Sequence, residues 1–206
     1  MDWESVISLI IALLVVVAFP LALRRRKKAS AQKREELYQH LKEIGVKASL
    51  VEEGSDKEKI GLSRTSGQKS EGIIALQDKN IDSVNIISAA SQYGTNYFLD
   101  YLVKSSNITV NRILKKTRLT VKKSLFLWGK VVAMEWKGDK SLAQSLNFDY
   151  RLKDILLQRD VTGLKGSIGI FPEPKHGYTR IRTGHSLPSP EIFEALDIIA
   201  KHIKSW

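Results

Sequence analysis

Apolar residues are spaced in three different ways along this chain, and the spacing divides it. Ser5 to Leu23 passes nineteen residues without a charge. Leu9, Ile10, Ile11, Leu13, Leu14, Val15, Val16 and Val17 leave no polar side, and a helix without a polar face belongs in lipid or in a deep core. At a rise of about 1.5 Å per residue, nineteen residues span about 28 Å, the hydrocarbon thickness of a bilayer. Pro20, near the end of the run, tilts the last turn rather than breaking the span. A helical period then continues through residues 29–44, where Leu37, Leu41 and Ile44 share one face until Gly45 stops it.

From residue 46 the period shortens to that of strands. Lys47 to Val51 is a candidate first strand, and 72–77, 81–88 and 96–104 are expected as three antiparallel strands. Ile108 to Val121 reads as strand because Thr and Val dominate its flanks. Ser124 to Trp136 alternates cleanly, with Phe126, Trp128, Val132, Met134 and Trp136 in phase. Ser141 to Leu157 returns to the helical period. Ser167 to Phe171 and Tyr178 to Thr183 form an expected hairpin across the Pro172–Gly177 turn.

The last element carries the fullest set of signals. Ser189 is placed to cap it, Pro190 takes the first helical position, and Glu191 favours the positive end. Ile192, Phe193, Leu196, Ile199, Ala200 and Ile203 then form one stripe. The expected fold class is α+β: a transmembrane helix continuing into a juxtamembrane helix, then a mainly antiparallel sheet with a middle helix and a closing amphipathic helix. In element order, a sheet ahead of one closing helix resembles pleckstrin-homology-like barrels.

Charge changes the picture by orienting it. Arg24, Arg25, Arg26, Lys27 and Lys28 follow the apolar run directly, whereas Asp2 and Glu4 precede it. A secretory signal has the opposite polarity, and Lys and Arg stay on the cytoplasmic side. The expected division is an extracytoplasmic tail 1–4, a single span 5–23, a basic juxtamembrane helix 24–45 and a cytoplasmic domain 46–206, all in the cell membrane. Trp3 suits the outer interface, and the cluster at 24–28 suits anionic head groups. The plainer role of that cluster is a topology signal alone.

The chain carries a net +11, and outside the anchor cluster the excess is concentrated in one place. Tyr101 to Met134 contains no acid and eight cations: Lys104, Arg112, Lys115, Lys116, Arg118, Lys122, Lys123 and Lys130. Three readings compete: contact with an anionic leaflet, nucleic-acid binding, or a merely solvated face. Nucleic acid is disfavoured because Phe126 and Trp128 fall outside the densest cationic part and fit a core.

Chemistry is sparse. The absence of Cys excludes disulfides, thiol catalysis and thiolate metal sites. No phosphate loop, dinucleotide fingerprint, nucleophile elbow or His-Glu-x-x-His stretch occurs. No two of the four histidines have ligand spacing, so neither a metal nor another cofactor is expected, and no catalytic residue stands out. One polar constellation does: in a strand, Arg180 and Arg182 point to one side, with His176 and His185 at the two ends. That is either an anion site or the solvated face of an edge hairpin. The reading that results is a membrane-anchored binding or scaffold module, with the lipid bilayer, its anionic lipids and a protein as partners. A tethered enzyme built on Arg180, Arg182 and His185, or a tethered nucleic-acid binder, is the alternative.

Overall fold

In the computed structural model, the described residues are Trp3, 31–52, 54–62, 67–105, 115–123, 131–158 and 168–206. Helix α1 covers 31–43. Its helical stop is as expected: Gly45 takes a left-handed φ of 79°, and the N–H groups of Gly45 and Val46 bond back to Lys42 and Leu41, the arrangement that closes a helix on glycine. Strands follow at β1 Ala48–Leu50, β2 Gln68–Leu76, β3 Ser83–Ser91, β4 Gly94–Lys104, β5 Thr117–Lys123 and β6 Val131–Lys137. Then come α2 Lys140–Phe148, α3 Tyr150–Gln158, β7 Gly169–Glu173, β8 Tyr178–Gly184 and α4 Pro190–Lys204.

The fold is α+β; among the described residues, eight antiparallel strands in the order β1-β2-β3-β4-β8-β7-β5-β6 are joined by four helices. Alternation gives the sheet two faces. Ile74, Val84, Ile86, Leu99, Tyr101, Ile170 and Ile181 share one core with Leu37 and Leu41 of α1, Leu142 and Leu146 of α2, Leu152 and Leu156 of α3, and the α4 stripe. Helix α1 therefore belongs to the folded unit. The α4 cap also forms as its residues imply, with Ser189 Oγ accepting from the N–H of Ile192.

Strand directions define two ends. The β3–β4 turn at Gln92 and Tyr93, the β8 terminus at Gly184, and the paired Lys123 and Val131 all lie toward one end, called here the hairpin end. Lys104, opposite Tyr178, and the 3₁₀ turn Pro174–His176 mark the far end. Helix α1 starts toward the hairpin end, where Lys33 Nζ lies 4.6 Å from the Tyr97 ring. It finishes at the far end, where Gln77 N–H bonds to the Lys47 carbonyl.

Several expectations are corrected. The helix read through Ser141 to Leu157 is two helices, broken where Asp149 takes ψ 97°. The β7–β8 hairpin is not at an edge: β8 inserts between β4 and β7. Among the described residues, β1 and β6 pair with one neighbour each, and these eight strands do not close into a barrel. The span Ser5–Leu23, the cluster Arg24–Lys28, Arg112, and residues 106–114 and 124–130 of the expected strands lie outside the described residues. Among the described residues, no helix is long and apolar enough to cross a membrane.

Candidate functional site

The second face of the sheet holds the expected Arg180 and Arg182 column, and its centre is Asp100. This aspartate interrupts the apolar run of β4 and is fully buried. Register places it beside Arg182 of β8 and Asn85 of β3. Arg182 grips it with both prongs, Nε to Oδ1 and Nη2 to Oδ2, each at 2.7 Å, the fork geometry in which guanidinium and carboxylate fit best. Arg180 adds Nη1 to Oδ2 at 3.4 Å and turns its Nε to Glu173 Oε1 at 2.7 Å. The Phe171 ring lies 4.3 Å from the Arg180 guanidinium and 4.2 Å from Lys116 Nζ.

A turn closes over this cluster. Gly61 has φ 73°, and a Cβ there would overlap the Arg180 side chain, so the close approach requires glycine. Ile60 beside it is buried. Both arginines thus have internal counter-charges. His176 and His185 flank β8 at opposite ends, about 20 Å apart for a strand of this length. His185 packs edge-on to Tyr97 with ring centroids 5.8 Å apart, and His176 is exposed on the 3₁₀ turn. The four residues do not converge.

Among the described residues, the cationic stretch is divided rather than gathered. Lys116, Arg118 and Lys122 alternate on the outer face of β5, all exposed, while Thr117 and Leu119 between them are buried. Lys104 and Lys115 are exposed away from the hairpin end, and Lys123 closes β5 opposite Val131. Phe171, an aromatic beside this strip, already has its ring covered by Lys116 and Arg180.

The helical side holds a cluster that sequence reasoning missed. Ser145 Oγ is 2.6 Å from His202 Nδ1, and His202 Nε2 is 2.7 Å from Asp149 Oδ2. In the tautomer that serves both bonds, serine donates to Nδ1 and Nε2–H donates to Asp149. Asp149 Oδ1 also accepts from the N–H of Leu152 at 2.9 Å, capping α3. Serine, histidine and aspartate in sequence form the hydrolase triad. Here, however, Ser145 lies inside α2 on an open surface, beside a cleft of about 440 Å³ lined by Lys140, Ser141, Gln144 and Phe148. Its imidazole contact is Nδ1, and the carboxylate is occupied as a cap. The group works as a clamp joining α2, α3 and α4. His202 and His40 are correspondingly half-buried rather than free, with His40 Nε2 bonded to the Pro188 carbonyl at 2.8 Å.

Burial pushes the Asp149 carboxyl up, but the hydrogen bonds from His202 and from backbone N–H groups, with the His202 charge, outweigh it and hold it below its ordinary 3.8. A depressed carboxyl stabilises the fold above the ordinary value and loses that contribution as pH falls through the folded one. Asp149→Ala is expected to cost about 1–2 kcal/mol at neutral pH through the lost cap and its partner. In acid titrations followed by thermal melting, the gap between variant and parent should close below pH 3.8; a gap of constant size would contradict the assignment.

Among the described residues, no group of His, Asp and Glu is arranged to hold a metal ion. A second cleft of about 440 Å³ lies between the end of α1 and α4, lined by Lys79, Asn80, Arg151 and Asp197. Asp197 is engaged there by the N–H and side chain of Asn80. No known family, curated protein or solved structure matches this chain.

Proposed function

We propose that this chain is a single-pass membrane protein, amino-terminus outside, whose α+β domain is a binding or scaffold module at the cytoplasmic face. The observation that carries the reading is the sequence of nineteen uncharged residues followed at once by five cations. The packing of α1 supports it. Only two residues separate Lys28 from the helical segment at 31, and Leu37 and Leu41 are buried in the domain core. The domain is thus joined to the apolar run without a long linker, which suits a module held at one height above a surface.

The enzyme reading has lost the support it drew from Arg180 and Arg182, because Asp100 and Glu173 already neutralise both guanidiniums. Among the described residues, the nucleic-acid reading finds no open aromatic platform beside the β5 cations for bases to stack on.

Topology is directly testable because the chain has no cysteine. The full chain should stay with membranes through an alkaline wash. A thiol reagent that cannot cross membranes should label Asp2→Cys in intact cells and Lys175→Cys only after lysis. Release by alkali would end the membrane reading, and labelling of Lys175→Cys in intact cells would reverse the orientation.

A further inference from the structure

We infer that the hairpin end of the sheet is the end that meets the bilayer, with Tyr93 seated among anionic phospholipid head groups. This rests on the anchored reading above and says which surface of the domain the anchor presents.

Reach favours one end. From Leu23 to the start of α1 at residue 31 is eight residues, which span at most about 28 Å even if fully extended. Helix α1 begins near Tyr97, as the contact from Lys33 at 4.6 Å shows. Strand β4 has 11 residues, about 36 Å at 3.3 Å per residue. From Tyr97 the hairpin runs on toward its turn for about 10 Å, whereas Lys104 recedes by more than 20 Å. A domain tethered at this end turns its hairpin toward the surface and its Pro174–His176 turn away.

What the hairpin presents fits an anionic lipid surface. Tyr93 is 92% exposed, the most exposed large apolar side chain among the described residues. The stretch Ser91 to Asn96 holds no acid. An isolated tyrosine at a turn has nothing to pack on in water, but its ring and hydroxyl suit the boundary between acyl chains and head groups. Lys33 lies beside this end, and Lys122 is exposed where β5 runs toward it. Each such cation near an anionic leaflet adds attraction that salt screens. The same topology leaves Lys104 and Lys115 away from the surface, so the described part of the eight-cation stretch contributes Lys122 there rather than its whole length.

The test uses the full chain reconstituted in vesicles that contain anionic phospholipid and a head-group quencher. A fluorophore is attached at Gln92→Cys, beside Tyr93, or at Lys175→Cys, at the far end. Quenching should be several-fold stronger at position 92, should weaken with salt, and should fall when Tyr93→Ala is added. Equal quenching at the two positions, or more at 175, would overturn the orientation. Quenching at 92 that ignores Tyr93→Ala, or that persists undiminished in uncharged lipid, would overturn the headgroup contact. Flotation after an alkaline wash separates the two levels: a chain that does not float refutes the anchor itself and this inference with it, whereas a floating chain with equal quenching refutes only the inference.

Discussion

Asp100→Ala is expected to destabilise the domain by about 3–5 kcal/mol, the cost of leaving a buried charge without its partner. The carboxylate has no exposure, and it is the only described partner of both prongs of Arg182, whose side chain is itself 17% exposed. Arg180 retains Glu173, so the loss falls mainly on Arg182. Against a total stability of 5–15 kcal/mol for an ordinary domain, the variant should melt far earlier. The urea midpoint of the full chain in detergent is the measurement; a shift worth less than about 1 kcal/mol, the scale of a surface ion pair, would show that the fork is not desolvated. A companion separates structure from function. Asp100→Leu combined with Arg180→Met and Arg182→Leu removes the three most buried charges and leaves only the part-exposed Glu173, and apolar replacement of a buried network is often neutral or stabilising. If the triple variant folds stably and still performs the domain's binding role, the network serves the fold alone.

The same cluster marks where sequence reading stops. Alternation placed Arg180 and Arg182 on one side of a strand correctly, because period two is a local property. Their counter-ion comes from β4, eighty residues earlier in the chain, and nothing local in β8 encodes that register. A signal did exist: one aspartate inside Tyr97-Phe-Leu-Asp-Tyr-Leu-Val103 has no alternating polar neighbours to share a wet face with, and a charge so placed requires a buried partner. The insertion of β8 between β4 and β7 was equally invisible, since hairpin signals specify neighbours in sequence and not neighbours in the sheet. Asp149 shows the reverse case. Its capping role was readable in principle, as an acid three residues before Leu152, but a continuous helical period across Leu142 to Leu156 hid the break. The cap of α4 and the stop at Gly45 were legible because every signal they need lies within a few residues.

Phe193→Asp carries the largest expected effect. Phe193 is 3% exposed in the core that α4 shares with the sheet and the other three helices. Truncating a buried phenylalanine costs about 3–5 kcal/mol through lost transfer and the cavity left behind. Aspartate adds the desolvation of a carboxylate for which this apolar site supplies no donor, several kcal/mol more unless the group takes up a proton. The sum meets or exceeds the whole stability of an ordinary domain, so the cooperative melt should disappear and limited proteolysis should degrade the chain from α1 onward. Lys201→Ala, on the exposed side of the same helix, should change stability by less than about 0.5 kcal/mol, as surface substitutions usually do. The pair isolates burial from helix propensity: if both variants melt alike, α4 does not close this core. If only Phe193→Asp unfolds and the chain still resists alkaline extraction, the apolar run holds the membrane independently of the domain, as a helix satisfied by its own hydrogen bonds in lipid requires.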